Sequence, residues 1–317
     1  MPVTLAQAKL NVQDDLQIGI IDEFAKSSFI LNAIQFDDVV SASGAGATLT
    51  YGYTRTKTQP TAAFRAINAE YVPANIEKER FTADLKVFGG SFEIDRVLAN
   101  MGGIINEVEL QTAQKIKAAS ALFNDTVING DSAVDVNSFD GLDKALTGSS
   151  TEYIPAAAID LSTSANIDTN WKSFLDTLDE FLMSLDGTPT FIGGNTKLIA
   201  KLRAVARRAG MYNTSVNEWG TNVESYGNIP MVDLGAKPAS NDPVCAIDAG
   251  GETSLYAVRL GMDGFHAISM AGQPPVQIWM PDFSTPGAVK KGEVEMVAAV
   301  ALKATKAAGV FRKIKVS

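Results

Sequence analysis

Apolar residues recur at steps of three and four between Asn106 and Gly130. Val108, Thr112, Ile116, Ala119, Phe123 and Val127 fall on one stripe of an α-helix, and Glu107, Gln111, Gln114, Lys115 and Lys117 occupy its other faces. Asn106 with Glu109 three residues on predicts a capping box. Asn129-Gly130-Asp131 predicts the stop, because glycine tolerates the left-handed conformation that closes a last turn. Phe139-Asp140-Gly141-Leu142 reads as a turn into a new element. A second helix buries Trp171, Phe174, Leu175, Leu178, Phe181, Leu182 and Leu185 and stops at Asp186-Gly187. A third, after Gly193-Gly194-Asn195, buries Leu198, Ile199, Leu202, Val205 and Ala209. Near the N-terminus Thr4 with Gln7 starts one short helix, and Leu16, Ile20, Ile21 and Phe24 mark another; neither is long enough to fold alone.

Period-two patterns predict the strands. Beyond the small-residue linker Ser41 to Ala47, Thr48 to Thr58 alternates and is rich in threonine and tyrosine. A return strand is expected from Ile76 to Ile94, with Phe81, Ala83, Leu85 and Val87 alternating against Thr82, Asp84 and Lys86. The pair forms a long two-stranded ribbon with a polar tip from Thr56 to Tyr71. Such a ribbon has little core of its own and needs something else to pack against. Thr147 to Asn170 and Met211 to Tyr226, which contains Trp219, read as loops. Short strands are expected at Thr190 to Ile192, Ile229 to Val232, Val244 to Ile247, Ser254 to Arg259, Phe265 to Ser269, Val276 to Met280, Glu293 to Ala304 and Val310 to Val316. Helices and strands intersperse without βαβ repetition, which predicts an α+β fold.

Composition narrows the function more than the fold. The 317 residues suffice for one large or two modest domains, and 46% hydrophobic with 20% charged residues excludes wholesale disorder. A net charge of −9 argues against a protein whose main task is gripping phosphate backbones. Cys245 is the only cysteine, so neither an internal disulfide nor a cysteine-based zinc site is expected. No stretch reaches the roughly 20 apolar residues of a membrane span, and MPVTLAQAKL lacks a secretory pattern, so a cytoplasm-like compartment is expected.

Catalytic patterns are weak. His266, the only histidine, has no nucleophile motif beside it and reads as structural. Gly193-Gly194-Asn195-Thr196-Lys197 lacks P-loop spacing and reads as a turn and helix cap. Asp176, Asp179 and Glu180 read as the solvated face of the second helix. Lys197, Lys201, Arg203, Arg207 and Arg208 make the densest basic patch in the chain, a solvated face or a contact for DNA or an acidic neighbour. Tyr51, Tyr53, Tyr71 and Trp219 lie in segments with the composition of exposed ones, where aromatics suggest contact surfaces.

The order of long helix, abrupt Ile128-Asn129-Gly130-Asp131 exit, polar spacer and Phe139-Asp140-Gly141-Leu142 resembles the spine-helix region of tailed-phage major capsid proteins of the HK97 fold. Tyr226-Gly227-Asn228-Ile229-Pro230-Met231-Val232 is similar to that family's Y-G-G-I-P-I strand, with Asn228 in place of the second glycine. Pro189 to Lys197 resembles the family's buried strand leading into a helix, and Ser254 to Gly264 its strand and turn near the end of the axial domain. The resemblance covers the chain from about Gly89 to its end. It implies an N-terminal arm (residues 1–47), an E-loop ribbon (48–92), a peripheral domain with the spine helix (93–145), an axial domain (146–289) and C-terminal strands returning to the peripheral domain (290–317). The implied function is structural rather than enzymatic: hexamers and pentamers of an icosahedral head enclosing double-stranded DNA, with no cofactor and no metal.

On that resemblance the expected inter-subunit contacts are Tyr51, Tyr53, Lys57, Phe64, Tyr71 and Trp219. Only Met1 to Ile105 precede the spine helix, so a separate scaffolding protein is expected, with a portal and a decoration protein as further partners. No motif identifies an asparagine partner for Lys57, so no covalent cross-link is expected. The competing readings are an encapsulin-type shell, a ligand-binding protein or enzyme using the Met211 to Tyr226 loop, and a DNA-binding protein using Lys197 to Arg208.

Overall fold

The computed structural model describes residues 29–41, 48–100, 107–210, 213–216, 222–240 and 242–317. The two helices expected near the N-terminus, most of the Ser41 to Ala47 linker, the Asn106 cap and Trp219 lie outside the described residues.

A short helix α1 (Phe29–Ala33) and strand β1 (Phe36–Val40) lead into the ribbon, β2 (Thr50–Thr58) antiparallel to β3 (Glu77–Asp84). The return strand is not one piece. Leu85 breaks it, and β4 (Lys86–Asp95) leaves the ribbon for another sheet. The reason is a slip in alternation. Up to Leu85 the odd positions Phe81, Ala83 and Leu85 turn inward; beyond it the even positions Phe88, Phe92 and Ile94 do, and Val87, expected inside, is 55% exposed.

Asp95 caps the single-turn helix α2 (Arg96–Ala99), its carboxylate accepting the Val97 amide at 2.7 Å. The long helix α3 (Glu107–Asn129) buries Thr112, Ala119, Phe123 and Val127 as predicted, and adds Asn124 and Ile128 on an adjoining row. Its stop differs from expectation. Gly130 is absent from the positive-φ residues; it is needed because a Cβ there would lie 2.3 Å from the Phe139 carbonyl oxygen and 2.5 Å from that of Thr126. The chain folds back over this point, the Gly141 amide donating to the Gly130 carbonyl at 2.8 Å, and starts helix α4 (Leu142–Leu146).

The loop expected from Thr147 to Asn170 is shorter and carries two brief strands, β5 (Glu152–Tyr153) and β6 (Ile159–Asp160). Thr163 then caps helix α5 (Ser164–Met183). Strand β7 (Phe191–Gly194) runs into helix α6 (Thr196–Ala209), closed by Gly210 at φ 69°. The Met211 to Tyr226 segment contains strands β8 (Asn213–Val216) and β9 (Asn222–Tyr226), which corrects its reading as a loop. Tyr226 to Val232 is likewise a hairpin, not one strand: Gly227 and Asn228, at φ 53° and 68°, turn β9 into β10 (Ile229–Asp233). Asparagine is among the few non-glycine residues that accept this conformation.

Val244 to Ile247 forms no strand; Pro243 makes only an isolated bridge to Ala236, and the Cys245 carbonyl accepts from the Asn195 side chain instead. The remaining strands are β11 (Glu252–Val258), β12 (Phe265–Met270), β13 (Val276–Trp279), β14 (Val289–Leu302) and β15 (Ala308–Lys315).

Two large sheets result. One orders β1-β12-β14-β13, with β4 also paired to β14; the other orders β5-β15-β11-β7-β10-β9-β8, with β6 on β15. The two C-terminal strands therefore part: β14 joins the sheet under α3, whereas β15 joins the sheet under α5 and α6. Gly89 on β4 permits the close pairing, since a Cβ there would lie 2.0 Å from the Val294 carbonyl oxygen. In the first core Phe123 packs between Phe36, Phe88 and Phe139 at ring distances of 6.0, 6.1 and 5.9 Å. In the second, Phe311 packs on Tyr153, Phe174 and Phe181.

Phe123 is fully buried among aromatic neighbours that cannot collapse into its place. Phe123→Ala is expected to cost about 3–5 kcal/mol in denaturant unfolding, whereas a loss below about 1 kcal/mol would mean that this cluster is not the centre of the first core.

Candidate functional site

The ribbon ends in a tip that the described residues do not cover. Its two ends differ in chemistry, and the alternation of β2 explains why. Tyr51, Tyr53 and Arg55 point toward the body, and each finds a partner there. The Tyr51 hydroxyl donates to Asp37 Oδ2 at 3.1 Å and the Tyr53 hydroxyl to the Leu302 carbonyl at 3.0 Å. Arg55 Nε donates to the Lys303 carbonyl at 2.8 Å, Nη1 to Thr305 Oγ1 at 3.2 Å, and Nη2 to the Leu302 carbonyl. The guanidinium also lies over the Phe81 ring, 4.2 Å from its centroid, and Phe81 stacks on Tyr53 at 5.8 Å. Burial pushes the Tyr53 phenol above its ordinary value, against the opposing pull of Arg55.

The root is thus a built joint. Charge-assisted hydrogen bonds from Arg55 take the Leu302 and Lys303 carbonyls at the end of β14. A cleft of about 380 Å³ runs beside it, lined in part by Tyr53, Arg55, Phe81, Ser132, Phe139 and Lys144.

The tip, residues 59–76, is irregular and bare. Phe64 is fully exposed, Ile67 is 91% and Val72 90% exposed, and Tyr71 and Ile76 are more than half exposed. A turn at Asn68, φ 68°, and Arg65 over the Tyr71 ring at 5.4 Å give it local shape without a core. Exposed apolar groups gathered in this number are a common feature of contact surfaces.

Of the expected contacts, Lys57, Phe64 and Tyr71 are exposed on the ribbon. Tyr51 and Tyr53 are corrected: Tyr51 is buried and Tyr53 half-buried at the root, because the inward phase of β2 falls on the odd positions. Trp219 lies outside the described residues. Two apolar surfaces escaped the sequence reading. Val97, Leu98, Val289, Ile278, Trp279 and Met280 are exposed at the end of the first sheet. Val134 and Val136 are exposed on the loop after α3, which Lys144 braces by ion pairs to Asp131 at 2.6 Å and Asp140 at 2.9 Å.

The other candidates resolve into structure. Asn195 caps α6, accepting the Leu198 amide at 2.8 Å, and donates to the Cys245 carbonyl and Thr253 Oγ1. Gly193 and Gly194 form no turn but end strand β7, where a Cβ on either would lie 2.7 Å from Leu234 or Leu198, so only the Asn195 cap of the expected turn and cap is found. On the basic helix Arg203 pairs with Glu224 and Arg208 with Asp168, so two of the five cations are balanced within the chain, while Lys201 donates to the Ser162 carbonyl. Asp179 accepts the Tyr226 hydroxyl at 2.7 Å. His266 is fully buried. Among the described residues no group of three or more His, Cys, Asp or Glu side chains could hold a metal ion, and no helix is long and apolar enough to cross a membrane.

No protein-family model matches the sequence, and neither does any curated protein. Solved structures do. The holo-SrpI encapsulin complex from Synechococcus elongatus matches with a TM-score of 0.69 at 12% identity, covering 99% of this chain and 97% of its own. The capsid of the native GTA particle matches at 0.66 and 11%, and the capsid of the Myoviridae phage XM1 at 0.62 and 11%, each covering 99% of both chains. The chain has the HK97 fold. At these identities the likeness is one of backbone architecture, and it runs over essentially the whole chain, ribbon included. The HK97-fold chain carries its α+β arrangement with a sequence that no family model recognises.

The joint at the root is testable. Arg55→Leu is expected to cost about 1–2 kcal/mol, the worth of charge-assisted hydrogen bonds at a half-buried site, and to raise trypsin cleavage at Lys78 and Arg80. Unchanged cleavage there would show that Arg55 does not fix the ribbon.

Proposed function

We propose that this chain is the structural subunit of a closed protein shell, and specifically the major capsid protein of a tailed bacteriophage. In this reading it forms hexamers and pentamers of an icosahedral head around double-stranded DNA. The observation that carries the proposal is the ribbon: a firmly anchored root with a bare apolar tip is costly in an isolated molecule, and burial against another copy removes the cost. The full-length likeness to two capsids and an encapsulin complex supports it.

The domain roles follow on the same reading. Residues 1–47 serve as an arm, the ribbon from 48 as the E-loop, α3 with β14 as the frame of the peripheral domain, and the sheet under α5 and α6 as the axial domain. Lys57, Phe64, Tyr71 and Trp219 contact neighbouring copies. The acidic net charge of −9 suits a wall that must not collapse onto enclosed DNA. A separate scaffolding protein, a portal and a decoration protein complete the set of partners, assembly proceeds in the host cytoplasm, and the chain does no catalysis.

An encapsulin-type compartment is the second reading, favoured by the encapsulin complex among the structural matches. Electron microscopy of the purified protein, alone and co-expressed with its neighbouring genes, tests both: closed shells or capsomer rings support assembly, and nucleic acid against protein contents separates capsid from encapsulin. Small uniform particles under every condition would refute both.

Replacing Phe64 and Ile67 together by Asp is expected to abolish assembled species in light scattering while changing subunit stability by no more than about 0.5 kcal/mol, as for surface sites. Retained assembly would exclude the tip as the contact.

A further inference from the structure

His266 is the only histidine in the chain and is 0% exposed, yet neither ring nitrogen has a hydrogen-bond partner. Buried polar atoms are rarely left so, and an unpaired imidazole at this depth calls for an explanation. Its surroundings supply one. Asp37 Oδ2 of β1 lies 3.9 Å from Nε2, outside hydrogen-bond range but close enough to act on its charge. The same oxygen accepts the Tyr51 hydroxyl of β2 and stands 3.9 Å from the Lys303 ammonium beyond β14. The Tyr51 ring meets the imidazole edge-on at 5.8 Å, and Lys303 lies over the Tyr51 ring at 5.5 Å. Gly264 faces the ring from its own segment, and Arg55, farther along the ribbon, is engaged with the Leu302 and Lys303 carbonyls.

One carboxylate therefore joins four elements. It lies on β1, it holds the root of the ribbon through Tyr51, it balances Lys303, and it sits beside a neutral imidazole on β12. With His266 neutral, Asp37 and Lys303 cancel and the site carries no net charge. A proton on His266 would put a second cation into the buried site, one beyond what Asp37 can balance, and would draw Asp37 away from Tyr51 toward Nε2.

We propose that His266, with Asp37, Tyr51 and Lys303, forms a proton-sensitive latch that secures β1 and the root of the ribbon to the body when His266 is neutral and loosens them when it is protonated.

The sign follows from the surroundings. Burial first, and then Lys303, hold the imidazole below its ordinary value, with Asp37 and the Gly264 backbone opposing. The folded state thus binds the proton less readily than the free chain. Stability from the latch is present in full above the free imidazole value of about 6.5 and is lost as pH falls from there through the folded value. The proposal concerns how the ribbon is fixed to its own chain, and it stands whether or not the tip docks on a second copy.

Hydrogen exchange of the full chain between pH 7.5 and 5.5, corrected for intrinsic rates, tests it. Protection is expected to fall in β1 and around Tyr51 to Tyr53 by up to about tenfold per pH unit, the slope of one proton, while α5 and α6 keep theirs. His266→Gln, an uncharged side chain that does not titrate, is expected to remove this pH dependence. Lys303→Met, which leaves the ring in place and removes the neighbouring cation, is expected to shrink it, and it serves equally if the glutamine variant does not fold. Equal pH dependence in wild type and in both variants, or a loss of protection spread evenly over the chain, would overturn the latch.

Discussion

Every backbone amide and carbonyl taken out of water needs a partner, and in this molecule that requirement converges on β14. The strand runs from Val289 to Leu302 and pairs along one edge with β4 and along the other with β13 and then β12. Where it ends, the carbonyls of Leu302 and Lys303 are taken by Tyr53 and Arg55 of the ribbon. The long helix packs on the sheet so formed. Remove β14 and three strands, β4, β12 and β13, lose their ladder, while the ribbon loses its joint.

That arrangement separates a rigid body from a projection. Apart from the unpaired His266 ring, the body is well satisfied: two aromatic cores, capped helices, and polar side chains such as Asn124 and Asn195 that hold irregular carbonyls. The projection is satisfied only at its root. Its apolar tip has no counterpart in the described residues of the same chain, so the geometry of one molecule carries an unmet demand for burial. The proposed self-assembly would meet that demand by burying the tip on another copy, which is why the functional reading rests on the ribbon and not on a pocket.

Much of this was legible in the sequence, for definable reasons. The stripe Val108 to Val127, the Leu198 to Val205 stripe and the Asn195 cap are local signals of period and capping, and the structure keeps them. The ribbon was legible as a ribbon because Tyr51, Tyr53, Phe81 and Ala83 alternate. Its end was misjudged because the phase slip at Leu85 hides inside a continuous run of alternation: Phe88, Phe92 and Ile94 on even positions were the signal. The inward turn of Tyr51 and Tyr53 depends on Asp37, Leu302 and Phe81, partners up to 249 residues away, and no local pattern reports them. The parting of β14 and β15 is likewise set by tertiary pairing, which no local pattern along the two strands reports. Tyr226 to Val232 shows the opposite case, a Gly-Asn dipeptide that is a hairpin signal by its own chemistry but was read as part of a strand.

The most direct test of the account is hydroxyl-radical footprinting of the ribbon tip in assembled particles and in dissociated subunits. Oxidation of Phe64 and Tyr71 is expected to drop strongly on assembly, while that of the already buried Tyr51 stays low in both. Assembled particles in which Phe64 and Tyr71 oxidise as fast as in free subunits would contradict the claim that a second copy covers the tip.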